Sequence, residues 1–166
     1  MPLEIERRFL VSSDEWKKVA KNTSHFYQGY LIGNLESWIV RVRVIEQKSA
    51  YLTLKTKAEG ISNHEFEYLI PLKDANSLLK LAAHKLRKTR YELNIKGGDW
   101  IIDCFEGSNF PLVIAEVELT SETQKIEKPV WCHTEITNNK HFSNAALART
   151  PISDWPIEKR LTKIIS

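Results

Sequence analysis

The chain has 166 residues, 42% of them apolar and 27% charged, which suits a single soluble domain with a real core rather than a disordered or membrane chain. Its formal charge of +3 comes from 24 basic residues interleaved with 21 acids, and its five tryptophans are scattered, so neither a basic stripe nor a stacking platform marks a nucleic-acid partner. No apolar run reaches membrane-spanning length, and the first eight residues carry charge without an apolar signal core, so a cytoplasmic, non-membrane protein is expected.

Residues 3–11 alternate as a β-strand does, with Leu3, Ile5, Arg7 and Phe9 on one face and Glu4, Glu6, Arg8 and Leu10 on the other. Two carboxylates spaced by about 7 Å along a strand repel by about 2 to 3 kcal/mol at an effective dielectric near ~20, so this face needs either water or a cation. Ser12-Ser13-Asp14-Glu15 has the form of a capping box, and Trp16, Val19 and Ala20 at helical spacing predict a short helix. Residues 25–33 read as a strand closed by a Gly33-Asn34 turn, and residues 38–46 as another, with Arg41 and Arg43 on one face and Val40, Val42 and Val44 on the other.

Tyr51 to Lys57 sets Lys55 and Lys57 on one face opposite Leu52 and Leu54, and residues 65–71 align Glu65 with Glu67. Asp74 is the expected N-cap of a helix carrying Leu78, Leu79, Ala82 and Ala83. Residues 87–93 align Lys88 with Arg90, Gly97-Gly98 makes a hairpin turn, and residues 100–105 place Asp103 on a strand. Residues 112–119 are the most regular, with Glu116 and Glu118 facing away from Ala115, Val117 and Leu119. A short strand is predicted at residues 135–137 and a helix at residues 144–148, ended by Pro151. Ile157, Leu161, Ile164 and Ile165 then recur at helical spacing in a basic tail. Cys104 and Cys132 lack metal-ligand spacing and read as reduced core thiols; the five histidines lack it too.

With this many charges, about six like-charged pairs at a separation of two would arise by chance, so their setting matters more than their number. Each acidic pair encloses an apolar residue, Ile5, Phe66 or Val117, inside a β-like segment. Two architectures use such strands: an open antiparallel sheet showing its charges to water, or a closed barrel with a charged interior. In the second, carboxylates and bases sit on different strands, and a metal-bound oligophosphate would satisfy both.

Glu4-Ile5-Glu6-Arg7-Arg8 resembles the E-x-E-x-K signature of the CYTH superfamily, the triphosphate tunnel metalloenzymes. The likeness continues in order through Gln28-Gly29-Tyr30-Leu31, Arg41-Val42-Arg43, Leu54-Lys55, Glu65-Phe66-Glu67, Arg87-Lys88-Thr89-Arg90-Tyr91, Asp103-Cys104-Phe105-Glu106-Gly107, Glu116-Val117-Glu118-Leu119 and Glu135-Ile136-Thr137, and is closest to short bacterial inorganic triphosphatases or adenylate-cyclase-like members. The resemblance implies an α+β fold, an eight-stranded antiparallel closed β-barrel, or tunnel, with a charged lumen and helices packed outside. Residues 1–156 would form the tunnel domain and residues 157–166 a C-terminal basic helix or tail, a candidate plug for one mouth.

It further implies Mg²⁺ or Mn²⁺ held by Glu4, Glu6, Glu116 and Glu118, with Glu65, Glu67 and Asp103 in support, and phosphate oxygens gripped by Arg8, Arg41, Arg43, Lys55, Lys88 and Arg90. Arg8 and Tyr30 stand where the family's lysine and tyrosine help activate water. Arginine holds its proton, so Arg8 is expected to clamp phosphate rather than to act as a base. The expected activity is metal-dependent hydrolysis of a small triphosphate, inorganic tripolyphosphate before others, to pyrophosphate and orthophosphate. The alternatives are an adenylate cyclase making cyclic AMP from ATP and a non-catalytic triphosphate- or polyphosphate-binding module. The partner is a small-molecule triphosphate, and a homodimer stays open.

Overall fold

The computed structural model describes residues 2–33 and 37–160. Nine strands form one sheet: β1 (Leu3–Val11), β2 (Ala20–Gly33), β3 (Trp38–Ile45), β4 (Ser49–Lys57), β5 (Ser62–Leu69), β6 (His84–Leu93), β7 (Asp99–Phe105), β8 (Val113–Glu118) and β9 (Cys132–Glu135). Their order is β5-β4-β3-β2-β6-β7-β8-β1-β9, and a further antiparallel pairing of β5 with β1, Leu3↔His64 to Ile5↔Ser62, closes the first eight into a barrel. Closure removes the sheet edges that an open antiparallel sheet would expose. β1 is the seam. Along one side it pairs with β8 from Glu6↔Glu118 to Leu10↔Ile114, while its other side passes from β5 to β9, which takes Phe9 and Val11.

Period-two alternation sorts the strands into an inner and an outer face. Outward residues of β3 and β4, among them Val42, Val44 and Ala50, form a core with Ala75 and Leu79 of α1 (Leu72–Leu81). A second outer core joins Phe9, Trp100, Ile102, Ala115 and Val117 to Trp16 and Trp131. Inside, at one end of the barrel, the faces that carry charge elsewhere turn apolar. Leu10, Leu86, Phe105 and Ile114 pack there with Phe142, Leu147 of α2 (Asn144–Arg149), Ile152 and Trp155, so residues 136–155 close that end.

Several boundaries differ from the sequence expectation. The segment after β1 is a five-residue 3-10 helix, Glu15–Val19, without a capping box: the Asp14 carboxylate accepts from Lys17 Nζ, and Ala20 already belongs to β2. Too few residues separate the strands for an α-helical turn to propagate. α1 starts after Pro71, which as N-cap loses nothing by lacking an N–H, and Asp74 lies in its first turn. β9 falls before the expected 135–137, because Ile136 turns into the apolar end cluster. α3 (Ile157–Arg160) buries none of its residues; the rest of the predicted terminal helix and Asn34 of the predicted turn lie outside the described residues.

Candidate active site

The inner residues surround two neighbouring cavities. The larger, about 380 Å³, is lined by acids from β1, β5, β7 and β8, namely Glu4, Glu6, Glu65, Glu67, Asp99, Glu116 and Glu118. The bases facing them come from β3, β4 and β6: Arg41, Arg43, Lys55, Lys88 and Arg90. The smaller cavity, about 230 Å³, is walled by Arg8, Tyr30 and residues of the 137–145 segment. Glu6, Arg41, Lys55 and Asn144 belong to both. Asp103 lines neither; it is fully buried behind Lys88 and Arg90.

Two chains of ion pairs run across the strands. In one, Lys55 Nζ bonds Glu4 and lies 3.4 Å from Glu65, while Arg41 and Arg43 lie 3.4 and 3.6 Å from Glu67. In the other, Arg8 Nε donates to Glu116 (3.1 Å), and Glu116 also takes Arg90 Nη2 (3.1 Å). Arg90 forks onto Asp103 with two bonds of 2.8 Å, and Lys88 Nζ reaches the same carboxylate at 2.6 Å. This bidentate geometry is the strong form of the arginine–carboxylate pair.

Electrostatics differ between the acids. Burial would raise Asp103, but Arg90 and Lys88 hold it well below the usual carboxylate range. Glu116, pushed up by burial and Asp103, is brought below its ordinary value by Arg8, Arg90 and Lys88. Glu6 goes the other way: burial, then Glu116 and Glu4, push it up to about 7. Glu118 at the rim is raised by burial and by Glu4, Asp99 and Glu65.

Among the described residues no three acids converge on one point, since Lys55 holds Glu4, and Arg8 and Arg90 hold Glu116. The donor set of Glu4, Glu6, Glu116 and Glu118 nevertheless fits a hard divalent cation. It consists of carboxylate oxygens, and the repulsion from Glu116 and Glu4, which adds to burial in raising Glu6, is what such a cation relieves.

Arg8 is 6% exposed and spans two elements, donating to Glu116 and, through Nη1, to the Phe142 carbonyl (2.9 Å). Burial opposes its charge, yet Glu116, Glu6 and Asp103 keep it protonated. Tyr30, in the apolar end cluster, has its phenol raised by burial, against the pull of Arg41 and Arg43, and accepts from Gln28 Nε2 (3.0 Å). Gln28 is fully buried and also accepts from Arg43 Nε (3.2 Å). Charge patterning overlooked Gln28, Thr53 and Asn144. Position marks two of them in the sequence: Gln28, which also lies in the Gln28–Leu31 stretch of the family likeness, shares the inner face of β2 with Tyr30, and Thr53 that of β4 with Lys55. Thr53 bonds Glu67 and Arg41, and Asn144 of α2 accepts from Lys88 Nζ (3.1 Å).

The chain is similar to known proteins in sequence and in fold. A protein of Acetivibrio thermocellus named inorganic triphosphatase is 39% identical over 157 residues, spanning 93% of this chain and 99% of its own length. One of the same name from Nitrosomonas europaea is 33% identical over 150 residues, spanning 87% of this chain and 96% of its own. A crystal structure of an inorganic triphosphatase superposes with a TM-score of 0.64 at 31% identity, covering 87% of this chain and 97% of that one. Residues 2–150 match the CYTH domain, and with relatives this similar over nearly their whole length the chain belongs to the CYTH family.

Proposed function

We propose that the protein is a divalent-metal-dependent triphosphatase that hydrolyses inorganic tripolyphosphate to pyrophosphate and orthophosphate. The observation that carries this reading is the larger cavity, in which five bases face seven acids inside a closed barrel of the triphosphatase relatives' fold. Phosphoryl transfer asks a protein mainly for alignment and charge neutralisation, and this lining supplies both. Arg41, Arg43, Lys55, Lys88 and Arg90 bind and orient the phosphate oxygens. Glu4, Glu6, Glu116 and Glu118 hold Mg²⁺ or Mn²⁺, which when bound polarises phosphate oxygens and neutralises their charge.

Glu65, Glu67 and Asp103 keep the bases in place. Arg8, permanently protonated and anchored between Glu116 and the Phe142 carbonyl, orients a phosphate and takes no proton. Tyr30, whose phenol is raised rather than lowered, is also a poor acceptor near neutral pH. The proton of the attacking water therefore passes to the carboxylate side of the cavity. Among the residues lining the larger cavity there is no aromatic ring on which adenine could stack, which favours tripolyphosphate over ATP and hydrolysis over cyclase chemistry. The protein is taken to work in the cytoplasm.

Purified protein incubated with Mg²⁺ and tripolyphosphate should release orthophosphate and pyrophosphate, and Glu4→Ala or Glu116→Ala should abolish release. Undiminished turnover in excess chelator would refute metal dependence. Cyclic AMP formed from ATP, with no orthophosphate, would replace the hydrolase by the cyclase.

A further inference from the structure

β2 contributes no charged residue to the lining of either cavity, yet it lies between the two strands that carry most of the cations. On one side it pairs with β3, setting Gln28 opposite Arg43; on the other it pairs with β6, setting Phe26 opposite Lys88. The Phe26 ring is the common neighbour of three cations: the Arg90 guanidinium carbon is 5.0 Å from its centroid, that of Arg43 5.2 Å, and Lys88 Nζ 5.9 Å. Phe26 is 7% exposed and is not among the residues lining the larger cavity, whereas all three cations are. The cations thus stand between the ring and the cavity.

Three like charges this close repel one another and need something to hold them together. Asp103 serves Lys88 and Arg90. Arg43 is held more loosely, 3.6 Å from Glu67, with the neutral oxygen of Gln28 at 3.2 Å. A carboxylate in place of Phe26 would cancel a positive charge and occupy the in-plane N–H groups that a phosphate needs. An aromatic face attracts the cation through its quadrupole and leaves those N–H groups free.

We infer that Phe26 is a positioning residue for the triphosphate, its ring gathering Arg43, Lys88 and Arg90 into one anion-binding surface without neutralising them. This assignment rests on the triphosphatase reading. Ring shape and ring charge are separated by comparing Phe26→Leu, a trifluorinated phenylalanine at position 26, which keeps the shape and weakens the negative face, and Phe26→Tyr, which restores the face. Tripolyphosphate binding to metal-free protein is measured by calorimetry, and KM and kcat with Mg²⁺ by orthophosphate release.

Phe26→Leu should bind about ten-fold more weakly, as expected for loss of a desolvated cation–π contact. The trifluorinated protein should fall between it and wild type, Phe26→Tyr should recover affinity, and KM should follow the same order while kcat holds. If Phe26→Leu does not fold, the trifluorinated protein decides. Wild-type affinity and KM in the trifluorinated protein, or a loss confined to kcat, overturns the assignment alone. A wild-type protein that neither binds nor hydrolyses tripolyphosphate overturns the triphosphatase reading and this assignment together.

Discussion

Lys88 shows how burial sets a working range. Its side chain is 1% exposed, and desolvation pushes its ammonium down to about 8 even though Asp103 is 2.6 Å away, with Arg90 adding to the depression. An unfolded lysine titrates near ~10.4, so between about pH 8 and ~10.4 the unfolded chain binds more protons and folding stability rises with pH. The strain of the buried charge is fully present below that window. With Lys88 as the proposed phosphate ligand, phosphate binding has the opposite sense, because it needs the cation. The kcat/KM for tripolyphosphate, which reports the free enzyme, should fall above about pH 8, and Lys88→Arg should remove that limb even if it lowers the plateau. A profile flat to pH ~10 in wild type would exclude Lys88 as a titrating phosphate ligand. Asp103 is the counterpart: Asp103→Asn takes the carboxylate from buried Lys88 and leaves Arg90 only Glu116, and should destabilise the fold by about 3 to 5 kcal/mol in denaturant titration.

Close approach of elements is governed by a residue with no side chain. Gly29 lies on the outer face of β2, and a Cβ there would meet Ala82 Cβ and Leu79 Cδ2, each at 2.8 Å, because α1 packs directly over this strand. Gly29→Ala should therefore cost about 1 to 3 kcal/mol by overpacking, and less when Leu79→Ala is combined with it than the two single losses added together. The same strand shows what a sequence conveys and what it does not. Arg41, Arg43, Lys88 and Arg90 declare an inner face because charge alternates with Val and Thr. Phe26 and Gln28 are neutral, so their alternation carries no such contrast, although it runs in phase with Tyr30. The strands were legible for this reason, and the short connections were not. A capping-box pattern at residues 12–15 presupposes room for a full helix, which the early start of β2 denies. The change from charged to apolar along the inner faces, from Arg8 to Leu10 and from Lys88 to Leu86, marks the closed end of the barrel, but only the folded packing shows that these leucines join Ile114 and Phe105 in one cluster.

At the scale of the whole molecule, the barrel's acids and bases neutralise one another in two chains: one links Glu4, Lys55, Glu65, Arg41, Glu67 and Arg43, the other Arg8, Glu116, Arg90, Asp103 and Lys88. A triphosphate arriving alone must take cations from carboxylates that are then left crowded, as the raised Glu6 already is. On the proposed assignment of Glu4 and Glu116 as metal ligands, a divalent cation arriving alone must take them from Lys55, Arg8 and Arg90. Together they exchange partners, each accepting what the other releases, so their binding should be positively coupled, by about 1 to 3 kcal/mol in the usual range. Ligands at about 100 times their dissociation constants stabilise a fold by about 2.7 kcal/mol, worth about 5 to 10 °C in a domain of this size. Thermal unfolding with Mg²⁺ alone, with a non-hydrolysable imido analogue of tripolyphosphate alone, and with both should give a combined rise in Tm larger than the sum of the separate rises. Glu116→Gln should reduce this surplus because it removes an acid that stands in both exchanges, and strictly additive shifts in wild type would mean that the two ligands do not compete for the same ion pairs.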